Sequence, residues 1–136
     1  MPGVVLDTSV LIAHLRGADV LSRPVRQAVL SGDVWVVSAI SQYEVYRLAK
    51  PSEWAAMDVL WASCVTVDVT ARVSREAARV WAELRADGYT VDVPDQFIAA
   101  TARLYDLPVA TFNLRHFSWV PGLRVLHPSQ LIGAEG

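Results

Sequence analysis

The sequence predicts an α/β fold: a three-layer α/β/α sandwich around a central, mainly parallel sheet. Three observations lead there. Short apolar runs suited to buried strands alternate with longer segments of helical spacing. Ser, Thr or Asp stands before most of these helices, and Gly or Pro follows several of them. Strands separated by helices of ten or more residues imply parallel pairing. The 136 residues suit one domain spanning 1–136, and 53% hydrophobic against 19% charged residues gives it a large core.

In chain order, Gly3 to Leu6 is a short apolar strand stopped by Asp7. Thr8 and Ser9 are cap types for a helix carrying Val10, Leu11, His14 and Leu15, ended by Gly17. Pro24 to Leu30 reads as a second helix, closed by Gly32. Val34 to Val37 is a buried strand, and Ser38 caps a helix running to about Lys50, with Pro51 as its stop. Ser52 caps the next helix, in which Trp54, Met57, Leu60 and Trp61 mark one face. Cys64 to Val69 alternates Val with smaller polar residues, as a strand does. Thr70 begins a longer helix with Val73, Ala77, Val80, Trp81 and Leu84 as apolar positions, closed by Gly88. Val91–Val93 leads into Pro94, which opens a helix through Phe97, Ile98, Thr101, Ala102 and Tyr105. Leu107 to Thr111 and an edge strand at Arg124 to Leu126 complete the sheet.

Composition narrows the function. A net charge of −2 announces no polyanion partner, so a nucleic-acid reading must rest on local features. The single cysteine, Cys64, cannot close an internal disulfide, and one Cys with three His is a poor zinc set. No apolar stretch reaches the roughly 18–20 residues that cross a bilayer. The apolar start lacks the basic n-region of a signal peptide, so the expected location is the cytoplasm, without a membrane.

Ligands of parallel sheets sit beyond the carboxyl ends of the strands. Asp7 follows the first strand. Glu44 lies six positions after Ser38, Asp95 sits in the first turn of the helix opened by Pro94, and Asn113 follows the strand ending at Thr111. Carboxylates gathered at one sheet end repel one another, and a bound cation offsets them. Oxygen ligands without sulfur or imidazole select Mg²⁺ or Mn²⁺. Read singly, each acid also has a plainer role. Asp7 suits a helix cap, Glu44 a solvated helix position, and Asp95 a first-turn acid serving the helix dipole. Asp92 stands as a cap of the Pro94 helix or a second-choice ligand. The joint placement favours the metal.

Four segments carry a family resemblance. VVLDTSVLI (Val4–Ile12), VSAISQYEV (Val37–Val45), VPDQFIAATA (Val93–Ala102) and VATFNLRHF (Val109–Phe117) resemble, in order and spacing, the four motifs of PIN domains. The length and the last two motifs look most like VapC-type toxins of bacterial type II toxin–antitoxin pairs. The resemblance implies a PIN fold and a Mg²⁺- or Mn²⁺-dependent endoribonuclease that cuts structured RNA of the tRNA or rRNA class with metal-activated water. It carries metal binding onto Asp7, Glu44 and Asp95. It also implies a homodimer and a cognate antitoxin whose tail blocks the site. One departure is Asn113, where many PIN domains have a fourth Asp; a neutral oxygen binds a cation more weakly. Thr111 is expected to position Asn113 and a water. His116 reads as structural first and an RNA contact second. A non-catalytic PIN-like module binding RNA or protein is the alternative.

Other readings of the strand-then-Asp start fit less well. Haloacid-dehalogenase-type phosphatases want a second Asp at position 9, which is Ser. Receiver domains want paired acids and a late Lys, and neither pattern is present. Eleven of the twelve basic residues are Arg, the residue suited to bidentate phosphate contacts. Arg16, Arg47 and Arg115 lie nearest the motifs and are candidate phosphate contacts, with solvated surface arginine as the equal reading. Arg72, Arg75 and Arg79 read as a solvated face first and a groove second. Most of the five tryptophans are expected as core or interface anchors.

Overall fold

Gly3–Leu6 (β1) is the middle strand of a five-stranded, wholly parallel sheet. The computed structural model describes residues 3–18 and 34–133. β1 leads through Asp7 into α1 (Thr8–Ala13), which continues as a wider turn over His14–Ala18, where Gly17 takes φ 89°. Next come β2 (Val34–Ser38), α2 (Ala39–Leu48), α3 (Trp54–Trp61), β3 (Cys64–Val67) and α4 (Ala71–Ala86). The chain ends with α5 (Val93–Tyr105), β4 (Val109–Ala110), α6 (Leu114–Ser118), β5 (Val125–Leu126) and α7 (Ser129–Gly133). The sheet order is β3-β2-β1-β4-β5. The expected helix at Pro24–Leu30 lies outside the described residues.

The pleat divides the apolar residues between two faces, because alternate side chains of a strand point oppositely. Val4, Leu6, Trp35, Val37 and Ala110 join Val10 and Leu11 of α1, Val45 of α2 and Met57 of α3 in one buried cluster. Val5, Val36 and Val109 join Val73, Val80 and Leu84 of α4, Ile98 of α5 and Phe117 of α6 in the other. The three layers therefore follow from strands that are apolar on both faces, which only a helix-covered parallel sheet can bury. Gly3 sits where β1 passes close to β2: a Cβ there would lie 2.8 Å from the Val34 side chain and 2.9 Å from its carbonyl oxygen.

Two helix starts make the capping bond their sequence predicts. Ser38 Oγ accepts from Ile40 N at 3.2 Å and Thr70 Oγ1 accepts from Val73 N at 3.2 Å. Ser52 differs. It lies inside a short 3₁₀ turn, Pro51–Glu53, and the Glu53 carboxylate instead accepts from Lys50 N at 3.1 Å. Pro51 opens that turn as well as stopping α2. Trp81 also differs: it faces solvent, beneath the Arg85 guanidinium at 5.3 Å, because the buried stripe of α4 runs through Val73, Ala77, Val80 and Leu84. β3 is shorter than its alternating pattern and forms one edge of the sheet; β5 forms the other.

Candidate active site

The strand order reverses at β1. From there β2 and β3 extend to one side and β4 and β5 to the other, and such a switch point opens a crevice at the carboxyl ends of the strands. Asp7 lies at its centre. Its N–H donates to the Ala110 carbonyl of β4 at 3.0 Å, and its carbonyl accepts the first bonds of α1, from Val10 and Leu11. It occupies the N-cap position of α1, yet its carboxylate makes no capping bond. The carboxylate is 4% exposed and accepts instead from Ser9 Oγ at 2.7 Å and from Thr111 Oγ1 at 2.8 Å, both on Oδ2. A side chain serving the helix would point at the free N–H groups; this one points into the crevice.

The same two hydroxyls stitch the far wall to Asp7. Ser9 Oγ accepts from Phe112 N at 3.2 Å, and Thr111 Oγ1 accepts from Asn113 N at 2.9 Å. Thr111 is fully buried. Asn113 then donates from Nδ2 to His116 Nδ1 at 2.8 Å, which assigns the acceptor role to that ring nitrogen. His116 thus orients Asn113 from α6.

Glu44 reaches the crevice from α2 and accepts from Thr8 Oγ1 at 2.6 Å, so α1 holds the second acid as well as the first. Asp95 comes from the first turn of α5. Burial first, then the negative charges of Asp7, Glu44 and Asp92, push the Asp95 carboxyl up to about 7. Carboxylates from three distant parts of the chain therefore act on one another. Asp92 is the N-cap residue of α5 but makes no capping bond, and its charge adds to the same potential.

These groups stop short of a closed cage. Among the described residues, no three or more His, Cys, Asp or Glu side chains stand at metal-binding separation. Mutually repelling acids spread apart, and Mg²⁺ holds few carboxylates directly and keeps several waters. An all-oxygen donor set in which burial and then the charges of Asp7, Glu44 and Asp92 push Asp95 upward fits a hard dication.

The candidate phosphate-binding arginines are more scattered. Arg115, on α6 two residues from Asn113, lies over the Trp119 ring at 5.7 Å. Arg47, three residues beyond Glu44, lies over the Tyr43 ring at 5.5 Å. Arg16 stands at the far end of the α1 turn, where it lines an apolar pocket with Ile12 and Leu15. Arg72 and Arg75 face solvent on α4, and Arg79, also exposed, bonds Glu76 at 3.3 Å. Ser9, a cap type by sequence, also bridges to Phe112. The Asp-x-Ser spacing in the first turn of a helix was the available signal, and the bridge itself spans 103 residues.

A family model described as PIN domain matches residues 4–123. The chain belongs to the PIN domain family. Ribonuclease VapC19 of Mycobacterium tuberculosis (strain ATCC 25618 / H37Rv) is 29% identical over 119 residues, which cover 88% of this PIN domain and 95% of that protein. Ribonuclease VapC10 of the same organism is 31% identical over 114 residues, covering 84% and 85%. Among solved structures, DNA-bound VapBC from Salmonella typhimurium superposes with a TM-score of 0.83 at 25% identity, over 94% of this PIN domain and 99% of that chain. VapBC2 from Rickettsia felis, bound to a promoter DNA fragment, gives 0.78 at 19% identity over 92% and 98%, which attests the fold. No helix of the PIN domain, among the described residues, is long and apolar enough to cross a membrane.

Proposed function

We propose that this PIN domain is a Mg²⁺- or Mn²⁺-dependent endoribonuclease and the toxin of a toxin–antitoxin pair, cutting structured RNA of the tRNA or rRNA class. The observation that carries the reading is the shared potential of Asp7, Glu44 and Asp95 at the switch point of the sheet. The relatives named as ribonucleases and the VapBC structures of the same fold support it.

Asp7, Glu44 and Asp95 would hold the ion. When bound, it neutralises phosphate charge and lowers the pKa of water. Ser9 and Thr111 keep Asp7 Oδ2 occupied and so fix the carboxylate's rotation. Asn113, held by His116, presents a neutral oxygen on the opposite wall. Arg115 and Arg47, exposed near Asn113 and Glu44 in the chain, would meet flanking phosphates. The antitoxin partner suits a pocket of about 200 Å³ between α1 and α2, lined by Ile12, Leu15, Val45, Leu48 and Met57 with Arg16 and Glu53 as its charged members. A homodimer would cover exposed apolar side chains such as Trp54 and Val59.

Cleavage of purified RNA in MnCl₂, stripped by EDTA and restored by metal, tests the enzyme. Asp7→Ala, Glu44→Ala and Asp95→Ala are each expected to cut at least about a hundred-fold more slowly, a loss of roughly 3 kcal/mol of transition-state stabilisation. Cutting that survives all three changes rejects the assignment. Asn113 in place of a fourth acid favours one second reading, a module that binds without cutting. A Mn²⁺ titration separates the two, since such a module need not take the ion at these acids.

A further inference from the structure

A line of contacts runs from Asp7 through Thr111, Asn113 and His116 to an aromatic pair. Asn113 bonds His116, whose ring lies 4.9 Å from that of Trp119. Trp119 stacks on Tyr89 at 4.4 Å with an interplanar angle of 10°. Tyr89 in turn precedes Asp92, the N-cap residue of α5, by three residues. Arg115 stands over the Trp119 ring at 5.7 Å.

Tyr89 is the anomalous member. Trp119 packs against the buried cluster of α4 and α5; Tyr89 belongs to neither cluster and is 39% exposed. Its backbone is nevertheless fixed. α4 ends with Gly88 at φ 80°, and Tyr89 N donates to the Leu84 carbonyl at 2.8 Å, the six-to-one bond of a Schellman motif. In that motif the second residue after the cap usually packs back on its own helix. Here the ring lies flat on Trp119, with one face covered. A backbone-fixed aromatic that lies outside both buried clusters, three residues from Asp92 and joined through Trp119 and His116 to Asn113, matches the parts of a base-stacking subsite.

We propose that the Tyr89–Trp119 stack is a shelf that receives an unpaired base of the RNA next to the cut phosphate. The nucleic-acid identity of the ligand rests on the ribonuclease reading. Bases within a duplex already cover one another's faces, so the shelf selects a loop, bulge or other single-stranded segment. Arg115, over the Trp119 ring, complements the phosphate of the same nucleotide.

Fluorescence anisotropy of a labelled adenosine hexamer in CaCl₂, set beside the same hexamer in a duplex, reads binding separately from cutting. Tyr89→Ala and Tyr89→Leu are expected to weaken single-strand binding about ten-fold, with Tyr89→Phe close to the wild type and duplex binding unchanged. In cleavage, KM rises by about the same factor with kcat nearly constant, because the contact is made equally in ground and transition states. Equal binding by wild type and Tyr89→Leu, a loss in Tyr89→Phe as large as in Tyr89→Ala, or a change of oligomeric state by light scattering in Tyr89→Ala each overturns the shelf. If the wild type cuts RNA and the Tyr89 variants cut it identically, the shelf fails and the nuclease reading stands. If the wild type cuts nothing while hexamer binding still depends on the Tyr89 ring, the nuclease reading fails and the shelf stands.

Discussion

Two hydroxyl groups hold Asp7 in place before any ligand arrives. Ser9 and Thr111 both donate to Oδ2, so the carboxylate does not have to be ordered when an ion binds. Thr111→Val removes one donor with little change of volume. Mn²⁺ affinity by calorimetry and RNA cleavage should both fall about ten- to hundred-fold, the usual effect of losing a ligand-orienting group. An unchanged affinity would show that Ser9 suffices. Asp95 makes a second prediction. Its folded value of about 7 lies above the ordinary carboxyl value of 3.8, so between those limits the folded protein holds a proton that the unfolded chain releases. Metal-free stability attributable to Asp95 therefore falls as pH rises from about 4 to about 7. Melting temperatures in EDTA should show that decline, Asp95→Asn should flatten it, and saturating Mn²⁺ should offset it at neutral pH. The acids themselves were legible in the sequence because each follows a strand or opens a helix. The hydroxyl bridges were not, since Ser9 meets Phe112 and Asp7 meets Thr111 only once β1 and β4 are paired.

α4 and α5 are held together by charge as well as by apolar packing. Arg103 of α5 donates to Glu76 at 2.5 Å and to Glu83 at 2.5 Å, both on α4, and to the Pro121 carbonyl at 3.2 Å. Glu76 and Arg103 keep only 11% and 15% of their side-chain surface exposed. The hydrogen bond from Arg103, its largest influence, holds the Glu76 carboxyl below its ordinary value. A lowered acid adds stability above its unfolded value, and that stability is lost as pH falls through the folded one. Arg103→Leu alone leaves buried Glu76 with only the exposed Arg79 as its cation and should cost about 3 kcal/mol in urea unfolding, whereas Arg103→Leu with Glu76→Leu should recover much of it. A double variant weaker than both singles would contradict this. Helices with a cap and a long apolar stripe, such as α4 and α5, were legible because their period repeats over three or more turns. α6 and α7 were not read as helices. Each has five residues, too few to establish a period, and tertiary contacts decide their form. Trp81 was misassigned because a large apolar residue at the margin of a stripe reads like one inside it. The exposed side of α4 pairs it with Arg85 instead.

At the scale of the whole molecule, strand order does the positioning. A central β1 with later strands on both sides brings α1, α2 and α5 to one crevice, which is how acids at positions 7, 44 and 95 become neighbours. Parallel pairing was legible from the helical segments of ten or more residues between strands; the order β3-β2-β1-β4-β5 was not, because a strand's own pattern does not say which strand it pairs with. The place of β1 also has a consequence in time. A ribosome makes Asp7 first and reaches its partner Thr111 only 104 residues later. Until β4 emerges and docks, the first acid lacks one of its two hydroxyl partners and one wall of its crevice. Chains terminated before Thr111 should therefore show no RNA cleavage in a cell-free translation reaction, where the full chain does. An enzyme that attacks RNA would thus stay harmless to the messenger and ribosome producing it until β4 has emerged and docked.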